Sequence, residues 1–213
     1  MSADLLTVPV ALGFRALKGG SVVVGVAMDG GEPRVIMSTF LATATEGDRL
    51  TFEPYHVAAE MARGPQGGAS AQAGAVVAEG RKRQDALAAA GLEDIVGRLR
   101  KDGRDTVIAA LLVNRAGWIS DLLEYSLAFA DHPPVAEGLA VRDALRFACG
   151  QARIHVAEMD EKSLPARASE LLHLSPADID ARLKALGAMA GKPWRKEQKL
   201  ACLAAWVAIA APH

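Results

Sequence analysis

The chain has 213 residues, 51% of them hydrophobic, and its 24 Lys and Arg against 25 Asp and Glu give a net charge of −1. This length can bury a substantial core and favours a single domain over the whole of residues 1–213. The balanced charge excludes a global field that would attract nucleic acid or an anionic membrane, so any such binding must depend on a local patch.

The first quarter of the chain is predicted to be an antiparallel meander of three strands. Ser21–Met28 and Arg34–Ala42 are rich in β-branched and apolar residues, and the turn-forming Asp29–Pro33 between them predicts a hairpin. Arg49–Glu53 predicts a third short strand, and residues 1–20 are assigned to an N-terminal lead-in. The sheet is therefore expected to begin at the first of these runs.

Two more strands and a series of helices are predicted after the meander. The Ala-rich stretch from about Ser70 to Lys101 is helical in pattern and is expected to divide at Gly91. Thr106–Val113 has no polar alternation, as a strand buried on both faces requires. After a further helix, Arg153–Glu158 predicts the fifth strand.

The last quarter is predicted to be helical. Ser175 and Pro176 have the residue types of an N-cap and a first helical position, and residues 162–190 are assigned to a helical insertion. Arg195–Ala210 follows as an amphipathic terminal helix, whose apolar face we expect to pack on the sheet.

Cellular location is predicted from the cysteines and the apolar stretches. Cys149 and Cys202 lie in apolar helical patterns without metal-ligand spacing and are expected to be buried, reduced thiols. No apolar stretch predicts a membrane span, and the first residues lack a basic region before their apolar part. We expect a cytoplasmic protein that does not contact a membrane.

The predicted order of three strands, helix, strand, helix, strand and helix resembles that of the ribonuclease H-like superfamily, which includes junction resolvases of the RuvC type. The resemblance spans roughly Ser21 to Ala210 and implies an α/β fold with a mixed sheet of about five strands and helices on both faces. The local stretches EPYHVAAEM, VAEGLAVRDALRFAC and GKPWRKEQKLACLAAW resemble segments of a bacterial branch of this fold.

The resemblance implies where catalytic carboxylates would lie. Nucleases of the superfamily hold two divalent cations with carboxylates across a phosphate, and the RuvC type takes them from the ends of the first and fourth strands and from the last helix. The matching residues here are Asp29, Asn114 and Glu197, with Lys199 one half-turn further. The ribonuclease H variant also uses the first long helix, where Glu79 is the nearest acid.

Each of these acids also has a plain structural explanation. Asp29 belongs to an Asp-Gly turn pair, and Glu79 and Glu197 fit solvated positions on helix faces. Asn114 is a neutral amide, and Lys199 would repel a cation. The pattern as a whole is therefore evidence against a two-metal site.

Two further groups of residues are candidates for a site. Glu158 and Asp160 lie with Glu161 at the end of the fifth strand, where α/β proteins bind ligands and a metal ion would find oxygen ligands, although a solvated turn is the alternative. Glu137 and Arg142 would need charged or polar partners if they were buried, which would also mark a site.

A basic cluster at the start of the terminal helix is the candidate for contact with an anion or nucleic acid. Its members are Lys192, Trp194, Arg195, Lys196 and Lys199. A phosphate there would also meet free backbone amides. The alternatives are that the cations serve solubility and that the tryptophan packs.

These patterns favour a divergent, non-catalytic ribonuclease H-like domain with a binding or nucleic-acid-associated role and no cofactor. The alternative is a metal-dependent phosphodiester hydrolase that uses Mg²⁺ or Mn²⁺ with Asp29 and Glu79, Glu158 or Glu197. A third hypothesis, a structural or oligomer-forming protein, predicts a broad exposed apolar patch. The oligomeric state stays open, a homodimer included.

Overall fold

The computed structural model describes residues 9–104, 107–114, 118–129 and 135–211. The strands are β1 (Val10–Leu17), β2 (Gly20–Asp29), β3 (Glu32–Ala42), β4 (Val107–Val113) and β5 (Val156–Asp160). The helices are α1 (Arg49–Phe52), α2 (Pro54–Ala59), α3 (Ala71–Lys101), α4 (Leu122–Ala128), α5 (Val135–Gln151), α6 (Leu164–Leu172), α7 (Pro176–Ala190) and α8 (Lys196–Ala210).

The five strands form one mixed sheet in the order β3-β2-β1-β4-β5. β2 pairs antiparallel with both β1 and β3, whereas β4 pairs parallel with both β1 and β5. Helices α3 and α5 pack on one face of the sheet, and α6, α7 and α8 pack on the other. The predicted mixed sheet with helices on both faces is confirmed.

The assignment of the first three strands is wrong by one strand. Val10–Leu17, placed in the lead-in, is β1 at the centre of the sheet, paired with both β2 and β4. The predicted third strand is instead the short helix α1, because the carboxylate of Asp48 caps it by accepting the N–H of Leu50. Gly91 does not divide α3, which runs unbroken past it.

Successive side chains of β1 point alternately to the two helical layers on either face of the sheet. Val10, Leu12 and Phe14 belong to the core shared with α3 and α5. Gly13 faces α8 so closely that a Cβ built there would lie 1.8 Å from the carbonyl oxygen of Ala201. Two residues on, Arg15 lies on that same α8 side of the sheet.

The remaining predicted segments are present in the structure, but their bounds differ from the predicted ones. β5 begins and ends later than the predicted Arg153–Glu158, and α6 and α7 lie within residues 162–190. The prediction of buried thiols is confirmed, since Cys149 and Cys202 are free and buried and burial raises the pKa of each to about 12. Over the described part of the chain, none of the helices has the length and hydropathy that a membrane span needs.

Candidate functional site

One edge of the sheet gathers most of the charged side chains that lie near strand ends. β1, β4 and β5 are mutually parallel, so their carboxyl ends meet at that edge. Arg15 lies opposite Leu112 in β4, and Asp160, the last residue of β5, lies opposite Val113. Asn114 follows β4 directly, as predicted.

Arg15 joins two carboxylates on the α8 side of this edge. Its Nε and Nη2 each lie 3.1 Å from a carboxylate oxygen of Glu161, and its Nη1 lies 3.6 Å from Glu197 Oε1. The three side chains are 17%, 27% and 31% exposed, respectively. The guanidinium thus pairs with two carboxylates in a partly buried, forked arrangement, so that one cation stands against two acids.

A cavity of about 670 Å³ opens on the other side of the same edge, between α3, α4 and α5. Arg146 of α5 donates to Glu158 of β5 at 2.6 Å and to Asp143 at 2.7 Å. Arg81 of α3 donates to Asp143 at 3.0 Å and to the Tyr55 hydroxyl at 2.9 Å. Two of the cavity's arginines are therefore held in place by acids.

Arg142 is the third arginine of the cavity, and it contacts no carboxylate among the residues that the structure describes. Its Nη1 donates to Asn114 Oδ1 at 2.5 Å, while its Nε is buried and has no hydrogen-bond partner. Burial, reinforced by the neighbouring Arg146 cation, lowers the pKa of Arg142. The site therefore holds one poorly compensated cation.

Glu137 is a buried acid behind the cavity, where α2 meets the first turn of α5. Its side chain is 3% exposed in total, and its Oε1 accepts the backbone N–H of His56 at 3.0 Å, whereas Oε2 has no partner. Burial raises the pKa of Glu137 to about 7, although the bond from His56 opposes the shift. This carboxyl group therefore titrates near neutral pH.

Asp29 does not lie at the end of the first strand, so the prediction of its position is wrong. It ends β2, which runs antiparallel to β1, and its carboxylate is exposed and pairs with Arg34 at 2.7 Å. The partner of Arg15 in β2 is Val22, so Asp29 lies about 23 Å further along that strand. Asp29 is thus at the opposite edge of the sheet from Glu197.

The other candidate acids also lie apart from one another. Glu79 of α3 is exposed and pairs with Arg83, which also contacts Asp48 beside α1. Glu158 faces the cavity, because its neighbour in β5, Met159, packs into the core beneath α8. Glu197 faces Arg15 on the α8 side. The structure therefore divides these acids among different surfaces.

The residues at this edge do not fit the two-metal site of the superfamily's nucleases. The end of the first strand supplies the cation of Arg15, the end of the fourth supplies the amide of Asn114, and the one matching acid, Glu197, contacts that cation. Across the described residues there is also no group of three or more His, Cys, Asp or Glu side chains arranged to hold a metal. Cation repulsion by Arg15 is the physical reason for the misfit.

The basic cluster lies where α7 leads into α8. Lys192, Arg195 and Lys196 are exposed and form no ion pair with the residues described, whereas Lys199 lies 3.5 Å from Asp180. Trp194 is partly buried against Gly187 of α7, and its indole N–H donates to the carbonyl oxygen of Leu183 at 2.9 Å. The three exposed cations are available to an anion, but the tryptophan ring packs on α7.

We expect Trp194→Phe to lower the free energy of unfolding by about 1 kcal/mol, because the bond to Leu183 is lost while the ring remains. Chemical denaturation measures this change, and Trp118→Phe is the matched control because Trp118 is 69% exposed. Weaker nucleic-acid binding by Trp194→Phe at unchanged stability would contradict the packing role.

Sequence patterns alone missed the residue at the centre of the site. Arg15 lies in the alternating run from Val10 to Leu17, which precedes the Lys18-Gly19 turn, and that alternation was the available signal for a strand. Asp143 and Arg146 carried no sequence signal as site residues, because their partners Arg81 and Glu158 lie on α3 and β5.

This mixed sheet, with three antiparallel strands followed by two parallel ones and the last helix packed on its centre, has the ribonuclease H-like fold. Among solved structures the chain is similar to Thermus thermophilus RuvC, with 12% identity over 94% of this chain and 93% of that one and a TM-score of 0.52. It is similar too to T. thermophilus RuvC in complex with a Holliday junction substrate, with 12% identity, coverage of 93% and 91% and a TM-score of 0.51. No protein-family model and no curated protein sequence matches the chain.

Proposed function

We propose that this chain is a non-catalytic ribonuclease H-like domain that binds the phosphate backbone of nucleic acid. The observation that carries the proposal is the Arg15 guanidinium, which contacts Glu161 and Glu197 at the edge where nucleases of this fold type need metal-binding acids. The guanidinium occupies carboxylate oxygens that a divalent metal would need, and the unpaired cations beside this cluster favour phosphate.

Unpaired cations on the α8 side support backbone binding. Lys162 directly follows Glu161, and Lys196 directly precedes Glu197. Because both acids contact the Arg15 guanidinium, the two lysines lie at the same edge of the sheet. Both are exposed and form no ion pair within the described parts of the chain. Arg195 adds a third exposed cation at the start of α8.

The similar solved structure of T. thermophilus RuvC with a Holliday junction substrate supports nucleic acid as the class of ligand. Because that likeness shows the fold alone, the ligand of this chain is inferred from the charges of its own residues. Because the net charge of the chain is −1, binding should be weak and strongly dependent on salt.

The proposal predicts that Lys162→Gln combined with Lys196→Gln weakens binding about tenfold and lowers the slope of log affinity against log salt by about 2, roughly one for each lost phosphate contact. Fluorescence anisotropy with single-stranded, double-stranded and branched oligonucleotides measures both quantities. The matched control is Lys101→Gln, since Lys101 is an exposed cation that ends α3 just before β4 begins, at the opposite edge of the sheet.

Two results would count against the proposal. Equal losses in the control and the double variant would show that the binding surface lies elsewhere. Cleavage of branched DNA or an RNA–DNA hybrid with Mg²⁺ or Mn²⁺, abolished by Glu197→Ala and retained by Asp29→Ala, would replace the proposal with the metal-dependent hydrolase.

A further inference from the structure

The cavity beside β4 has two chemically different kinds of lining. Its volume of about 670 Å³ lies in the range of small-molecule sites. Its apolar lining comes from Val77 of α3, from Leu122 and Leu123 of α4 and from Leu139 of α5. The same helices α3 and α5 also contribute the three guanidinium groups described above. A ligand that fits both kinds of lining needs an anionic group and a less polar body.

The cavity's lining balances three cations against three acids, but none of those acids contacts Arg142. The charged residues of its lining are Arg81, Arg142, Arg146, Asp121, Asp143 and Glu158. Asp121 is engaged in capping α4, where its carboxylate accepts the N–H groups of Leu123 and Glu124. The other two acids bind Arg81 and Arg146. Arg142 has only the neutral amide of Asn114.

Arg142 is built to accept an anion. Its buried Nε has no partner, and a guanidinium presents parallel donors that match a phosphate or carboxylate. An anion beside the guanidinium would supply the opposite charge that no described residue in contact with Arg142 supplies. It would also offset the burial and the Arg146 charge that lower the pKa of Arg142.

We infer that this cavity binds a phosphomonoester of nucleotide size, with the phosphate on Arg142 and the nucleoside against the apolar lining. The choice of phosphate over carboxylate rests on the proposed function. Two kinds of molecule carry such a phosphate group: a free nucleotide, and a nucleic-acid strand with a phosphorylated end. The cavity lies on the α5 side of the edge and the lysines on the α8 side, so the two sites are separable.

The test compares adenosine 5′-monophosphate with adenosine by isothermal titration calorimetry. The parent should bind the monophosphate at least tenfold more tightly than adenosine. Arg142→Gln should weaken binding of the monophosphate at least tenfold and leave the affinity for adenosine unchanged. Arg142→Lys should restore part of the lost affinity. Arg100→Gln, which removes an exposed arginine near the C-terminal end of α3, should change neither. Thermal melts establish that each variant is folded.

The inference is overturned if the parent does not bind the monophosphate, or if folded Arg142→Gln binds it as the parent does. Matched oligonucleotides with a 5′-phosphate or a 5′-hydroxyl identify the source, since a preference that Arg142→Gln abolishes points to a strand end. Monophosphate binding without a preference points to a free nucleotide. If no oligonucleotide binds but the monophosphate does, the proposed function fails while the cavity stands.

Discussion

Replacing Arg15 with alanine is expected to lower the free energy of unfolding by about 2 kcal/mol at pH 7. The substitution leaves the carboxylates of Glu161 and Glu197 close together without their shared cation, and all three side chains are less than one-third exposed. Urea denaturation measures the change. Arg98→Ala is the control, since it removes an exposed ion pair with Asp94 within one helix and should cost well under 1 kcal/mol.

Arg15→Asp tests the idea that the guanidinium lies where a metal would otherwise bind. The variant places a third carboxylate beside Glu161 and Glu197, so it should be less stable than Arg15→Ala because like charges repel. Millimolar Mn²⁺ should then raise the Tm of Arg15→Asp by several degrees and leave the parent unchanged, since three carboxylates offer the oxygen ligands of a hard cation.

An equal rise in the Tm of the parent with Mn²⁺ would contradict this account and favour the hydrolase. So would an Arg15→Ala variant as stable as the parent, because the two carboxylates would then not depend on the cation. The Arg15 variants thus distinguish a site that binds phosphate from a site that binds a metal ion.

The sequence predicted the parts of the fold that depend on local pattern. The uninterrupted apolar run before Asn114 identified a buried central strand, and the alternation after Arg195 identified the helix that packs on the sheet. Both elements are confirmed, and with them the position of Asn114 at the end of the fourth strand, but α8 is not amphipathic, because Ala201–Ala208 are all buried.

The site was less predictable because its contacts join distant parts of the chain. Arg15 contacts Glu161 across 146 positions of sequence, and no local pattern contains that pairing. Missing β1 also displaced the numbers of the next two strands by one, so Asp29 was placed at the wrong edge, whereas the wrongly predicted third strand left the numbers of β4 and β5 correct. In the observed strand order Asp29 lies away from the site that the hydrolase would need, and Arg15 of β1 lies there instead.

The acid at the junction of α2 and α5 gives the chain a pH dependence of stability that extends to neutral pH. Glu137 is buried, and its pKa rises from 4.5 to about 7 on folding. The folded state therefore holds the proton more tightly than the unfolded state. The stabilisation is complete below pH 4.5 and is lost as the pH rises through about 7.

We expect the stability of the parent, relative to Glu137→Gln, to fall by about 3 kcal/mol between pH 4.5 and pH 8, since each pKa unit is worth about 1.4 kcal/mol. Denaturation of both proteins across this range measures the difference, in which titrations common to both cancel. Glu93→Gln, which removes an exposed acid of α3, is the control and should show no such trend. A parent curve parallel to that of Glu137→Gln would contradict the prediction. Because Tyr55 of α2 lines the cavity, ionisation of Glu137 should also weaken the docking of the helix that holds the cavity's wall.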